Sequence, residues 1–216
     1  MKEESALKNI REYHPVIHND VLERKHRFTM PKIRHGYIGS HFRPERYLKS
    51  FVAFDTETTG LNPEKDRIIQ LSALRYVDGK PSELWNTYIN PQRKISPGAS
   101  AVNGITDDMV ADCPVFSQYA QSFQEFVGKD PLVGYNVDFD LSFLWCSGLD
   151  LIHDHVIYDC MLSAYGALPK GTLKNRKLTT LADYYGIDFH AHDSLGDTYA
   201  TAEVFLKVIE TITTGK

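Results

Sequence analysis

The alternation of hydrophobic and polar residues changes in character near residue 50. From Phe51 onward, short apolar runs between polar turns predict strands, and apolar residues at helical spacing predict helices. The predicted strands are Phe51–Phe54, Arg67–Val77, Leu84–Ile89, Leu132–Tyr135 and Val156–Tyr158. The predicted helices are Val115–Val127, Phe139–Cys146, Cys160–Ala167, Leu178–Tyr185 and Thr198–Ile212. Three consecutive strands followed by alternating helices and strands predict an α/β fold, a mixed five-stranded sheet flanked by helices.

The first fifty residues lack this regularity, because prolines and glycines divide them into short pieces. We predict only a helical turn or two near Ser5–Tyr13 and another near Val21–His26. The change of pattern predicts an N-terminal arm, residues 1–48, and a regular domain, residues 49–216. The arm either wraps onto the domain, is reserved for a partner, or is a solvated tail.

Charge follows the same division. Residues 1–50 carry 11 Lys and Arg against 6 Asp and Glu, a net charge of +5, while the remaining residues carry 13 against 22, a net charge of −9. An acidic domain argues against capture of nucleic acid by a broad basic surface. The basic arm is one alternative source of contacts to a nucleic-acid backbone, and a basic group near the end of the chain is another, unless it is simply solvated. That group comprises Lys170, Lys174, Arg176 and Lys177.

The composition argues against membrane and secreted proteins. No apolar run approaches the roughly 20 residues that a membrane-spanning helix needs, so we expect no membrane association. The N-terminal sequence lacks the apolar core of a secretory signal. The cysteines, Cys113, Cys146 and Cys160, are odd in number and lack metal-type spacing, which favours reduced thiols and a cytoplasmic location.

Acidic residues stand at the ends of several predicted elements. Asp55 and Glu57, two residues apart at the end of the first strand, point the same way and repel by roughly 4 kcal/mol at an effective dielectric near 20. Asp138 and Asp140 lie where a strand enters a helix, and Asp197 lies where a histidine-rich loop enters the last helix. Taken alone, each acid at a helix start is better explained as a helix cap. Their combination and order instead indicate a metal site.

Four segments in order carry a resemblance to a known family. They are DTETTGLNPEKDRIIQLSA, SAVNGITDDMV, LVGYNVDFDLSFL and HDSLGDTYATAEVF. They resemble the motifs of the DnaQ-like 3′→5′ exonucleases of the DEDDh group, which have a ribonuclease-H-like fold and include the epsilon subunit of DNA polymerase III. The resemblance covers about residues 50–212 and leaves the arm outside it.

The resemblance implies a role for each matching residue. Asp55, Glu57, Asp140 and Asp197 would hold two Mg²⁺ or Mn²⁺ ions, and His192 would be the general base. His190 is interpreted as a loop residue or a support for the site, and Asp138 as a helix cap. The implied substrate contacts are Thr56, Glu57, Leu61, Ile105, Asn136 and Phe139.

The expected function is therefore metal-dependent release of nucleoside monophosphates from a DNA 3′ end, single-stranded or frayed, in proofreading or repair. The alternatives are an RNA 3′-end exonuclease of the ribonuclease T type and a nucleic-acid-binding module without catalysis. Only Thr213–Lys216 follow the last predicted helix, so a polymerase or other replication or repair partner, if tethered, is expected to be held by the arm.

Overall fold

A mixed six-stranded β-sheet forms the centre of the protein, whose structure is a computed structural model describing residues 2–8, 10–18 and 29–215. The strands are β1 (Arg11–Glu12), β2 (Ser50–Thr58), β3 (Ile68–Val77), β4 (Lys80–Tyr88), β5 (Leu132–Gly134) and β6 (Ile157–Asp159). Their order across the sheet is β1-β4-β3-β2-β5-β6. β2, β3 and β4 form an antiparallel meander, β5 and β6 continue parallel to β2, and β1 pairs in parallel with β4.

Helices cover both faces of the sheet. Within the described residues they are α1 (Lys2–Leu7), α2 (Pro44–Tyr47), α3 (Pro97–Asn103), α4 (Asp107–Val110), α5 (Phe116–Val127), α6 (Asp138–Cys146), α7 (Cys160–Ala167), α8 (Leu178–Tyr185) and α9 (Ser194–Thr214). The five predicted helices are all present. The short helices α3 and α4 were not predicted, because their few apolar residues show no helical period. Among the described helices, none is both long and apolar enough to cross a membrane.

The alternation of side chains along β2 builds two separate cores. Val52 and Phe54 face one core, which includes the buried aromatic residues of α5. Phe51 and Ala53 face the other core, where Phe51 meets the ring of Phe205 on α9 at a centroid distance of 5.8 Å. Because both faces are buried, β2 is fixed in register and can carry polar residues at its end without shifting.

The five predicted strands are confirmed, and the sixth, β1, comes from the arm. Tyr13, which follows β1, donates its backbone N–H to Leu84 and stacks on Trp85 at 5.4 Å. At the opposite edge of the sheet, His35 forms a parallel bridge with Ile157. Described parts of the arm therefore lie along both edges of the sheet, where they cover strand edges that would otherwise be open to other chains.

Several boundaries differ from the sequence predictions, and β4 starts at Lys80, four residues before the predicted Leu84. β2 continues to Thr58 instead of ending at Phe54, because its polar residues still pair with β3. α9 starts at Ser194, before the predicted Thr198, since the Asp193 side chain accepts the Gly196 N–H and caps the helix. The predicted turn at Ser5–Tyr13 is divided between α1 and β1. The predicted turn at Val21–His26 lies outside the described residues.

Removing the arm's aromatic anchor should destabilise the whole fold. Tyr13 contacts both Trp85 and Phe126, so Tyr13→Ala should lower the free energy of unfolding by about 2 kcal/mol. Tyr37→Ala is the matched control, because 87% of the Tyr37 surface is exposed, and it should change stability by less than about 0.5 kcal/mol. Urea unfolding of both variants measures the difference, and equal midpoints would contradict the anchoring role.

Candidate active site

Strand β2 places the first two acidic side chains. Asp55 and Glu57 continue the Phe51–Ala53 side of the strand and therefore face α9. They pair with Ser72 and Gln70 on β3, and the register shifts directly after Glu57. Because most of β2 is buried between the two cores, these carboxylates have little freedom to separate by backbone movement.

The first turn of α9 adds a third carboxylate. Ser194 Oγ donates to the carbonyl of Asp55 at 2.9 Å, which ties the start of α9 to β2. Asp197, one turn into the helix, then meets Asp55 and Glu57, and carboxylate oxygens of the three lie within 4.8 Å of one another. The structure thus brings together three of the four predicted metal ligands in one group.

Asp140 is the fourth predicted ligand and belongs to α6, which packs on the other face of the sheet. It lies in the first turn of α6, is 2% exposed, and is held by Thr56. Its Oδ1 accepts the Thr56 backbone N–H at 2.9 Å and the Thr56 hydroxyl at 2.7 Å. Thr56 points to the side of β2 opposite Asp55, so one strand fixes carboxylates on both of its faces.

His192 lies in the loop before α9. Its backbone is left-handed, with φ of 66°, and its N–H donates to Asp197 Oδ2 at 3.1 Å. The imidazole belongs to an exposed residue, in contrast to the buried or half-buried acids. The loop therefore places the predicted base beside one of the predicted metal ligands.

Burial raises the pKa of all four carboxyl groups. It raises the pKa of Glu57 to about 8, that of Asp140 to about 7 and that of Asp197 to about 6. Burial also raises the pKa of Asp55 well above its usual value, and the negative charges of Asp140, Asp197 and Glu57 raise it further. Hydrogen bonds from Thr56 to Asp140 and from His192 to Asp197 oppose these shifts. A cation at this position would remove the repulsion and favour ionisation of all four.

A cavity of about 470 Å³ opens beside Glu57. Four of the predicted substrate contacts line it, namely Thr56, Glu57, Leu61 and Phe139. Leu61 is 84% exposed, and Phe139 packs against Phe143 at a centroid distance of 4.9 Å. A space of this size with apolar walls and a few polar groups is typical of a small-ligand site.

The other two predicted contacts occupy different positions. Ile105 is 2% exposed and packs in a small interior cluster with Ile69, Ile95 and Val110. Asn136 has a left-handed backbone, with φ of 57°, and its carbonyl accepts the N–H of Phe139 in the turn between β5 and α6. Asn136 thus shapes the segment that presents Phe139.

Sequence reasoning missed Val102 on α3, which lines the cavity and is 59% exposed. The available signal was its place in the segment SAVNGITDDMV, but the helix was not predicted and Val102 was not singled out. Asn103 Nδ2 donates to the carbonyl of Thr58 at 3.5 Å, and its side chain also hydrogen-bonds Glu57. α3 therefore contributes to the wall of the cavity, as α6 does through Phe139.

A second group of possible ligands, His35, Asp138 and Asp159, has a structural explanation. Asp159 caps α7 by accepting the Leu162 N–H, and its other oxygen accepts the Val137 N–H. His35 Nε2 lies 2.8 Å from Asp138 Oδ1. The interpretation of Asp138 as a helix cap is therefore wrong, because its carboxylate bonds a histidine of the arm and makes no cap hydrogen bond.

The donor set of the main cluster fits hard divalent cations. Its ligand atoms are carboxylate oxygens, with neither cysteine nor imidazole among the three grouped residues, Asp55, Glu57 and Asp197. Oxygen ligands of this kind suit Mg²⁺, Mn²⁺ or Ca²⁺ better than softer metals.

Known proteins that are similar to this chain include nucleases and polymerase subunits. The sequence model of a family described as exonuclease matches residues 52–205. The chain is 39% identical over 169 residues to a DNA polymerase III subunit epsilon-like protein of Rhodobacter capsulatus. The aligned region covers 74% of this chain and 24% of that protein. It is 34% identical over 166 residues to the DNA polymerase III subunit epsilon of Treponema pallidum, with 74% of this chain and 76% of that protein covered.

A solved structure gives the same result for the fold. Exonuclease X in complex with a 5′-overhanging duplex DNA superposes with a TM-score of 0.62 at 25% identity, covering 74% of this chain and 92% of that one. The chain belongs to the exonuclease family, which confirms the resemblance seen in the motifs. This family is divalent-metal dependent, in agreement with the acidic cluster. The chain spans about a quarter of the length of the R. capsulatus relative.

The raised carboxyl pKa values predict the pH dependence of the metal-free protein. In the unfolded chain these groups titrate near 4, whereas in the folded protein three of them titrate near 6, 7 and 8. The folded state therefore binds more protons between about pH 4 and 8, and its stability falls as pH rises through this range. In the presence of a chelator, the midpoint of thermal unfolding at pH 8 should lie below the midpoint at pH 5.5.

Saturating Mg²⁺ should reduce this difference, because it favours the ionised carboxylates. Asp55→Asn should also reduce it and should raise the midpoint of the metal-free protein at pH 8, since it removes one repelling charge. A metal-free midpoint that rises from pH 5.5 to pH 8 would contradict the charge repulsion described above.

Proposed function

We propose that this protein is a 3′→5′ exonuclease that uses two Mg²⁺ or Mn²⁺ ions to release nucleoside monophosphates from DNA 3′ ends. One observation carries the proposal: carboxylate oxygens of Asp55, Glu57 and Asp197 lie within 4.8 Å of one another, and the loop of His192 is bonded to the last of them. The family match and the polymerase epsilon relatives support the same activity.

The chain's own groups have distinct tasks in this proposal. Asp55, Glu57, Asp140 and Asp197 would hold the ions, which when bound activate water and stabilise the departing 3′-oxyanion. Thr56 keeps Asp140 in place through its two hydrogen bonds. The partial burial of these carboxylates lowers the local dielectric, which strengthens electrostatic contacts to the scissile phosphate.

His192 is suited to accept the proton of the attacking water. An imidazole has a pKa near 6.5 and therefore exchanges protons readily around neutral pH. The exposed loop keeps the ring next to Asp197 while leaving it accessible to solvent and to a substrate that enters beside Glu57.

The cavity beside Glu57 would accept the terminal nucleotide. Leu61 and Val102 provide exposed apolar surface on which a base can stack or pack, and Phe139 lines the same cavity. Thr56 and Glu57 lie at the inner end, where we place the 3′-hydroxyl. Packing against a base rather than a base pair favours a single-stranded or frayed end.

Ile105 and Asn136, predicted as substrate contacts, are proposed to act mainly by supporting neighbouring residues of the site. Ile105 would support α3 and its neighbouring turn from the interior, and its N–H donates to Asn103 Oδ1 at 3.1 Å. Asn136 would order the turn that presents Phe139, and its exposed side chain is available to the scissile phosphate. A polymerase or repair partner held by the arm and a cytoplasmic location remain parts of the same proposal.

Two substitutions test the chemistry. Asp55→Asn should remove a metal ligand and His192→Ala the base, so each should lower kcat on a 3′-labelled single-stranded DNA by at least about 100-fold. Asp183→Asn and His153→Ala are matched controls, because both residues are exposed and lie outside the acidic cluster, and they should retain activity within about twofold. Nucleotide release is followed with Mg²⁺, with Mn²⁺ and with chelator.

Activity that survives both active-site substitutions would refute the assignment. The same assay run with DNA and RNA of matched sequence, mixed in one reaction, distinguishes the proposed substrate from an RNA 3′ end. Preferential loss of the RNA would favour the ribonuclease T-type alternative.

The exposed wall of the cavity gives a separate prediction about substrate binding. Leu61 is 84% exposed, so its side chain adds little to the core but is available to a base. Leu61→Ala should raise KM for single-stranded DNA by roughly threefold to tenfold, with kcat and the thermal midpoint nearly unchanged. The exposed Leu162, on α7 and outside this cavity, gives the matched control Leu162→Ala. A KM unaffected by Leu61→Ala would remove Leu61 from the substrate site.

A further inference from the structure

We propose that Glu3, in the first helix of the arm, is a positioning residue that sets the loop carrying His192. The inference rests on the proposed function, because it assigns Glu3 a role through the general base. It gives the arm a task within the nuclease itself and does not depend on a partner.

The contact joins residues at opposite ends of the sequence. Glu3 Oε2 accepts the backbone N–H of His190 at 3.1 Å and lies 3.4 Å from His190 Nδ1. Glu3 is 7% exposed although it belongs to a short helix on the protein surface. A buried carboxylate is costly unless it is paired, so its position indicates a defined partner, and that partner is the loop.

The loop has a second anchor on the far side of His192. Asp193 Oδ2 accepts the Gly196 N–H, and Asp193 Oδ1 accepts from Gln70 Nε2 at 3.3 Å. His190 and Asp193 are therefore fixed on either side of His192, whose left-handed backbone is an uncommon conformation for a residue with a side chain. With one anchor removed, fewer contacts hold His192 in this conformation, although its N–H still donates to Asp197.

The loop also fits tightly against the helix that it precedes. A Cβ atom at Gly196 would lie 2.2 Å from the carbonyl oxygen of His190, so glycine alone allows this approach. Glu3 holds the same residue from the opposite side, through its N–H. His190 is thus confined between α1 and the first turn of α9.

Helix α1 has its own attachment to the domain and can act as a support. Ala6, Leu7 and Ile10 pack against the core that contains α9. The strand β1 that follows is paired with β4, and the N–H of Tyr13 bonds the carbonyl of Leu84 at 2.7 Å. The position of Glu3 is therefore determined by contacts that do not involve the loop.

The test compares Glu3→Ala, Glu3→Gln and the matched control Glu4→Ala in the full chain. Glu4 is exposed on the same short helix, so its substitution removes the same charge from a position outside the interior. Glu3→Ala should lower kcat by roughly tenfold with KM within twofold, since it removes one hydrogen bond to a charged acceptor. Glu3→Gln keeps an acceptor oxygen and should restore most of the activity, and Glu4→Ala should match the wild type.

Hydrogen exchange of the loop amides supplies a readout that does not depend on activity. In Glu3→Ala the amides of residues 190–193 should exchange faster, with thermal midpoint and exchange in β2 unchanged. Equal kcat in Glu3→Ala and Glu4→Ala, or a loss that appears only in KM, would overturn the proposal. So would unchanged exchange of the loop, or failure of Glu3→Gln to recover.

The two proposals fail in different ways. A wild-type protein without nuclease activity, or one insensitive to His192→Ala, refutes the proposed function. An active protein that needs His192 but is indifferent to Glu3 refutes this inference alone.

Discussion

Mutual repulsion of buried carboxylates is the constraint on which the rest of this structure depends. Two such charges about 4 Å apart repel by roughly 4 kcal/mol at an effective dielectric near 20, and this site gathers several of them. The rigid strand β2, buried on both faces, prevents the strand acids from separating. Asp140 and Asp197 each lie in the first turn of a helix, where the positive end of the helix dipole offsets part of the repulsion. Bound cations would offset the remainder.

The same constraint explains why the site is assembled from three elements on two faces of one sheet. A strand alternates its side chains, so β2 presents Asp55 and Glu57 towards α9 while Thr56 reaches α6 on the other side. Each helix starts directly after a short loop or strand, which aligns its first turn with the end of β2. The arrangement of the acidic cluster is therefore a consequence of strand alternation combined with two helix N-termini.

Sequence patterns were sufficient for the elements with strong periodicity. The five strands, the five longer helices and the family were all predictable, because alternating or helical burial leaves a clear trace in the residues. Four predicted ligands and the histidine were located by motif, and the structure places three of the acids in one group. Short elements such as α3 could not be predicted, since four or seven residues hold too little pattern. Long-range contacts could not be predicted either, because nothing in the sequence around Glu3 indicates that it contacts His190.

The path of the arm has a consequence for how the protein is made. Glu3 contacts a residue 187 positions further along the chain, and β1 pairs with a strand more than 70 positions away. During synthesis the arm is made well before α9 and the loop ahead of it, which form part of its binding surface. Contacts of such sequence separation form slowly, because a large loop must close before they are gained. The arm therefore lacks part of its binding surface until α9 has been synthesised, and its contact with the loop of His192 forms late in folding.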